Sequence, residues 1–285
     1  MGSQYNQVFF PVSFNELFTV WNRFPDAVLY AGGTSLIGRQ GKNIISLPKI
    51  IICLDKLEEL HRITRTEQYL EIGSMVKLSR LAGLGKVVPE ILCTCLENIA
   101  GIQLRNIATV GGNICSAAGL FDLSAPFTAL DAQYELRSAA NTRLVLASRY
   151  HHSPAPSVDA SADASGIINK EVLTRIRLPL HQWDYSIYKK FKRETIYNNE
   201  VLVFLAKTQK NILSDIRVVY KANTILRNKN SEDLLNGKSL PLNRRTALDF
   251  IENWKEFLES RKDVNEYSKN ALIYSIEENV IFLSE

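Results

Sequence analysis

The stretch Leu29-Tyr30-Ala31-Gly32-Gly33-Thr34-Ser35-Leu36 decides how the chain is read. A strand-like run from Ala27 to Ala31 meets two glycines and then two hydroxyl residues. Glycine reaches positive φ without steric penalty and lets a backbone come close to a ligand. Consecutive amides in such a loop converge into an anion-binding nest, and Thr34 and Ser35 add hydroxyl donors. A pyrophosphate suits this arrangement; the plain alternative is a tight turn between strand and helix. Two better-known phosphate loops are excluded. Gly33 and Gly38 have P-loop spacing, but Arg39-Gln40 stands where Lys-Ser/Thr is needed. No GxGxxG run follows a strand anywhere.

Working outward, Val8 to Phe10 reads as a strand ending at Pro11. Ser13 with Glu16 has capping-box form, and Phe14, Leu17, Phe18 and Trp21 follow at helical spacing as core residues. Ile50 to Leu54 is an unbroken apolar run, as a buried strand would be. The first segment, residues 1–56, therefore reads β-α-β, glycine loop, β. From Leu57 the pattern changes to short strands (His61 to Thr64, Tyr69 to Ile72), helices (Leu78 to Leu84, Glu90 to Ile99, and an Ala-rich patch around Ser124 to Leu130) and further strands at Tyr134 to Leu136, Leu144 to Leu146 and Val172 to Leu178. Ser153 to Gly166 is rich in Pro, Ala and Ser and reads as a loop. A boundary is placed near Leu180, giving segments 57–180 and 181–285. The last carries strands at Tyr185 to Phe191 and Ile216 to Tyr220 and helices at Ala247 to Leu258 and Asn270 to Phe282.

A second diglycine lies in Gln103-Leu104-Arg105-Asn106-Ile107-Ala108-Thr109-Val110-Gly111-Gly112-Asn113-Ile114. Here the glycines follow a strand-like β-branched pair. Two such loops can clamp two parts of one long phosphate ligand. Asp122 follows; its carboxylate can accept hydrogen bonds from ribose or ribityl hydroxyls, or serve as a helix N-terminal acid.

These residues carry a resemblance. Ala31 to Ser35 and Thr109 to Asn113 resemble the two FAD loops of the molybdopterin-dehydrogenase flavoprotein family, which includes the medium subunit of carbon monoxide dehydrogenase and the central domain of xanthine dehydrogenase. Ile99 to Asn106 resembles the lead-in to the second loop, Glu171 to Pro179 the strand ending the FAD domain, and Lys189 to Arg193 the K-x-x-R-R region. The resemblance covers nearly the whole chain. Departures are Ala118-Gly119, where the family often has Asp-Pro, and a Lys in place of one Arg after Lys189.

The resemblance implies an α+β fold of the vanillyl-alcohol-oxidase/PCMH type, with two FAD-binding subdomains and a C-terminal α+β domain. It implies FAD held by Leu29, Tyr30, Ala31, Gly32, Gly33, Thr34, Ser35 and Leu36, with the pyrophosphate on this stretch. Ala108, Thr109, Gly111, Gly112, Asn113, Cys115 and Asp122 would hold further parts. Ile99 matches a position facing the isoalloxazine, and Leu173 and Lys189 match positions near the flavin or adenine end. It implies electron transfer from an iron–sulfur subunit to NAD⁺, oxygen or another acceptor, beside a molybdopterin-containing large subunit that oxidises the substrate. No catalytic acid–base pair is needed on this chain. Two other readings stay open: a self-sufficient FAD-dependent oxidoreductase of the same fold, and a flavin-free interaction module whose glycine loops are only turns.

The bulk numbers fit. A length of 285 residues, 46% of them hydrophobic and 22% charged, is ordinary globular composition. A net charge of +4 does not argue for nucleic acid or a membrane surface. No secretion leader or apolar span is read, so the expected location is the cytoplasm. Cys53, Cys93, Cys95 and Cys115 form no CxxC pair and are too few in suitable spacing for an iron–sulfur cluster. No metal site is expected; His151-His152 is read as surface loop.

Overall fold

The computed structural model describes residues 6–38, 40, 45–116, 121–152, 170–191 and 199–284. The Ser153 to Gly166 loop, Ala118-Gly119 and Lys192-Arg193 lie outside these residues. In chain order the first elements are β1 (Gln7–Phe9), α1 (Phe14–Arg23), β2 (Val28–Tyr30), α2 (Thr34–Gly38) and β3 (Ile50–Cys53). Then come β4 (Ile63–Arg65), β5 (Tyr69–Gly73), α3 (Leu78–Ala82), α4 (Glu90–Glu97), α5 (Ile102–Arg105), α6 (Val110–Ile114) and α7 (Ser124–Ala129). These are followed by β6 (Gln133–Arg137), β7 (Thr142–Leu146), α8 (Ala147–His152) and β8 (Val172–Pro179). The last third holds β9 (Tyr185–Phe191), β10 (Glu200–Gln209), β11 (Ile212–Lys221), β12 (Ile225–Arg227), α9 (Lys229–Leu235), α10 (Arg244–Glu259) and α11 (Glu266–Phe282).

The described residues form three sheets. The first is parallel, in the order β1-β3-β2. Parallel strands need a crossover, and α1 supplies it. Ser13 Oγ accepts from Glu16 N–H as the capping-box motif predicts, while Glu16 Oε2 reaches one residue further back than the motif expects and accepts from Val12 N–H. Phe14, Leu17 and Phe18 are buried with Ile52, Leu54, Leu57 and Met75, while Trp21 only packs against that cluster. The second sheet is antiparallel, in the order β4-β5-β8-β6-β7. Its cross-strand charges alternate in sign: Glu71 meets Arg175 at 2.7 Å and Arg177 at 3.0 Å. Burial raises the Glu71 pKa, but the two guanidiniums outweigh it and hold the carboxyl below its ordinary range. The third sheet is the meander β12-β11-β10-β9. Its core joins Leu202, Phe204, Val218 and Tyr220 to Phe250, Trp254, Leu272 and Ile276 from α10 and α11.

The chain forms two compact units. One comprises residues 1–88, 99–119 and 132–180; the other comprises 89–98, 120–131 and 181–285. Helices α4 and α7 thus pack with the third sheet, α4 on β9 and α7 on β10 and β11. Arg217 and Arg227 each meet Asp131 at 2.8 Å, which ties the end of the α7 segment to β11 and β12.

Candidate functional site

The first glycine loop leaves β2 at Tyr30 and enters α2 at Thr34. Gly33 sits at φ +69°, which explains glycine there. The first amides of any helix have no partner one turn back. Among the described residues, the Thr34, Ser35 and Leu36 amides donate no hydrogen bond; the first amide of this helix to be bonded is Ile37 N–H, to Gly33 O at 3.0 Å.

The second loop is built differently. The strand-like pair expected before its glycines is absent: Thr109 is an N-cap and Val110 opens α6. The reason is local capping. Thr109 Oγ1 accepts from Gly112 N–H at 3.0 Å, and Asn113 N–H returns to Thr109 O. Val110 N–H and Gly111 N–H donate to Val76 O and Ser74 O at 2.9 and 2.8 Å. The amides of this loop are therefore occupied by the protein itself. Its glycines serve close packing: a Cβ on Gly111 would stand 2.7 Å from Ser74 Cβ, and one on Gly112 would stand 2.8 Å from Thr109 Oγ1.

The two loops meet. A Cβ on Gly32 would lie 2.2 Å from Ile107 O and 3.2 Å from Ala108 Cα, so the first loop rests directly on the lead-in to the second. Ser35 Oγ and Ser116 Oγ are hydrogen-bonded at 2.9 Å across the junction. Unsatisfied first-turn amides, hydroxyls and a backbone surface without side chains form a cradle for a phosphate-bearing chain. These donors fit the diphosphate of a dinucleotide, which needs N–H and O–H groups and no metal. Among the described residues no cluster of His, Cys, Asp and Glu could hold a metal ion.

The other sequence-derived residues are placed as follows. Ala108 is buried; its N–H donates to Leu104 O, and its carbonyl accepts from Leu78 N–H. Ile99 is buried, and Arg105 Nη1 donates to its carbonyl at 2.8 Å. Leu173 is buried in β8 opposite Leu136. Cys115 caps the end of α6 and accepts from Tyr150 Oη at 3.4 Å. Asp122 and Lys189 belong to the second unit. Lys189 Nζ pairs with Glu278 at 2.9 Å and lies over the Tyr274 ring. It is Lys190 whose ammonium pairs with Asp122, and it also donates to Asn98 O at 3.0 Å. Successive side chains on a strand point to opposite faces, so a lysine pair in β9 serves two surfaces, and sequence alone left open which one meets the aspartate. The surface-loop reading of His151 is corrected: it lies in α8, with Nε2 3.0 Å from Tyr134 Oη and its ring edge-on to Tyr150. Sequence reading also missed Lys77, whose Nζ donates to Ile107 O at 3.2 Å beside both loops.

Mixed sheets and helices carrying two convergent glycine loops define a flavin-binding fold of the PCMH type. Residues 3–181 match the family described as the FAD binding domain in molybdopterin dehydrogenase. The chain belongs to that family, and FAD is its cofactor. It is 29% identical over 252 residues to "Xanthine dehydrogenase 2" of Arabidopsis thaliana, covering 80% of this chain and 18% of that protein. It is 35% identical over 133 residues to the "Xanthine dehydrogenase FAD-binding subunit" of Escherichia coli O157:H7, covering 46% of this chain and 45% of that subunit. The chain thus spans less than half the length of either relative. A chain of the Cu,Mo-CO dehydrogenase in its cyanide-inactivated form shares the fold, with TM-score 0.78, 22% identity and coverage of 100% of this chain and 99% of the other. Among the described residues no helix is long and apolar enough to cross a membrane.

Proposed function

We propose that the chain is the FAD-binding, electron-transferring component of a molybdenum hydroxylase or dehydrogenase complex, an oxidoreductase of the xanthine dehydrogenase or carbon monoxide dehydrogenase kind. The observation that carries this reading is the seating of Gly32 on Ile107 and Ala108, which brings the two glycine loops to one place. On this reading segments 1–56 and 57–180 are the two FAD subdomains and 181–285 is the C-terminal domain. Leu29 to Leu36 hold the diphosphate. Ala108, Thr109, Gly111, Gly112, Asn113 and Cys115 shape the adjoining wall, and Ile99 and Leu173 complete the surroundings that this unit gives the cofactor. FAD, when bound, supplies the redox chemistry. The chain's own work is to position it: the Thr34 to Leu36 amides bind the anion, and the Thr109 cap keeps the second loop in shape. The part-buried Lys190–Asp122 pair fixes a carboxylate that can accept from a hydroxyl. Electrons arrive from iron–sulfur clusters of a partner subunit and leave to NAD⁺ or another acceptor, while a molybdopterin-containing large subunit oxidises the substrate. The name "Xanthine dehydrogenase FAD-binding subunit" supports the FAD-subunit part of this reading.

The test is reconstitution. The purified chain, stripped and titrated with FAD, is expected to bind it and to gain about 2.7 kcal/mol of stability when FAD is at a hundred times its Kd. Co-expression with neighbouring subunits is expected to yield a complex whose flavin is reduced by substrate, while the chain alone oxidises none. A chain that refuses FAD, or that turns over a substrate unaided, overturns the proposal.

A further inference from the structure

Lys77 is half-buried, and its place is set by backbone on both sides. Lys77 itself forms an isolated bridge with Thr109. Val76 O accepts from Val110 N–H, and Leu78 N–H donates to Ala108 O at 3.0 Å. The lysine is thus stitched to the second glycine loop at three successive residues. Its ammonium rests 3.2 Å from Ile107 O, the same carbonyl that lies 2.2 Å from where a Gly32 Cβ would be. It therefore stands at the junction of the two loops. Among the described residues no carboxylate lies within 4.0 Å of this ammonium, the reach of an ion pair. A carbonyl neutralises none of the ammonium's charge. Among the described residues this ammonium is bonded to a carbonyl alone, at the junction from which the first loop runs on to its unsatisfied amides, and that arrangement suits an anion the protein does not itself supply.

We infer that Lys77 is the charge partner of the FAD diphosphate: a binding residue that moves its ammonium from Ile107 O to the phosphate oxygens, or shares it between them, when the cofactor is present. The inference rests on the cofactor reading of the two loops and adds to it a cation held at their junction. Three consequences follow from the chemistry. Removal of the charge weakens FAD binding. The weakening shrinks with added salt, because the ammonium end of Lys77 is exposed and exposed charges are screened over about 8 Å at physiological ionic strength. A guanidinium restores binding, since it keeps the charge and offers phosphate a forked donor.

The experiment uses the full chain and measures FAD affinity by flavin fluorescence from low to high sodium chloride, for the parent, Lys77→Gln, Lys77→Met and Lys77→Arg. Lys77→Gln keeps an N–H for Ile107 O and is the variant least able to disturb the fold; far-UV circular dichroism and apo melting check this. Expected are a roughly tenfold rise in Kd at low salt for Lys77→Gln and Lys77→Met, a flatter dependence of Kd on salt for both, and recovery to within about threefold for Lys77→Arg. A Lys77→Gln chain that binds FAD within twofold of a binding parent overturns the inference and leaves the cofactor reading standing. So does an arginine variant as weak as the glutamine variant. A parent that binds no FAD overturns both.

Discussion

At the residue scale, the site turns on one glycine. Gly32 touches a backbone carbonyl and a backbone Cα across the loop junction, and backbone cannot rotate aside as a side chain can. Gly32→Ala must push the loops apart, at a cost on the order of 1–3 kcal/mol and with loss of FAD affinity. Gly85 makes the comparison. It sits at φ +56° with nothing within 4 Å of its would-be Cβ, so Gly85→Ala pays only left-handed strain of about 1 kcal/mol and leaves FAD binding intact. Melting curves and FAD titrations of the two variants decide the matter; equal FAD affinity in both would show that loop contact is not what organises the site. The importance of glycine at 32 was legible in the sequence from its strand–Gly–Gly–hydroxyl setting. Its contact with Ile107 was not, since nothing in one stretch names its neighbour 75 residues on. The choice between Lys189 and Lys190 was hidden for a related reason: alternation tells that they face opposite ways, not which way is inward.

At the element scale, α6 is only five residues long, too short to be stable alone. Its start depends on Thr109, which is 1% exposed and caps Gly112 N–H. Thr109→Ala is expected to cost about 1 kcal/mol, with Thr109→Ser close to the parent in thermal melting; equal losses in both would move the role from the hydroxyl to the methyl. The sequence reading took Thr109-Val110 for a strand because both are β-branched; a cap hydroxyl outweighed that propensity. A comparable blind spot hid β10. Val201 to Ala206 are all buried, and periodicity alone does not tell a continuous apolar run in a strand from one in a buried helix. Elements with one wet face, such as α1, β6 and α10, were read close to where they lie.

Asp263 joins the end of α10 to the turn before β12. Hydrogen bonds from Arg261 foremost, and from Thr224, hold its pKa down to about 2 against an ordinary 3.8. A depressed carboxylate contributes stability above its unfolded pKa and loses it as pH falls through the folded one. The Asp263 contribution is therefore complete above about pH 4 and gone by about pH 2. The side chain is 39% exposed, so solvent screening limits the effect to about 1 kcal/mol. The melting temperature of Asp263→Asn should lie a few degrees below that of the parent at neutral pH, and the gap should close on acidification through that window. A gap that is constant with pH would assign the loss to shape instead of charge.

At the scale of the whole molecule, the sheets follow the sequence in blocks but the compact units do not. The three sheets occupy residues 7–53, 63–179 and 185–227 in turn, which is why runs of strands could be read as consecutive segments. Yet α4 and α7, which lie between strands of the second sheet, pack on β9, β10 and β11. Their apolar faces were legible; their destination was not, because amphipathicity states that a face is buried and not against what. This has a consequence for dissection at the apparent boundary near Leu180. A fragment of residues 1–180 retains the strands of its two sheets but removes β9, β10 and β11, on which α4 and α7 pack in the intact chain. It also leaves Asp131 without Arg217 and Arg227. The fragment is expected to bind a hydrophobic dye and to self-associate, whereas a fragment lacking 90–97 and 124–129 as well, closed by short flexible linkers, should do so much less. Dye fluorescence and sedimentation of the two fragments test this. A monomeric, dye-silent 1–180 fragment would mean that the two helices find other cover, and that the unit boundary is softer than the packing of α4 and α7 on the third sheet makes it.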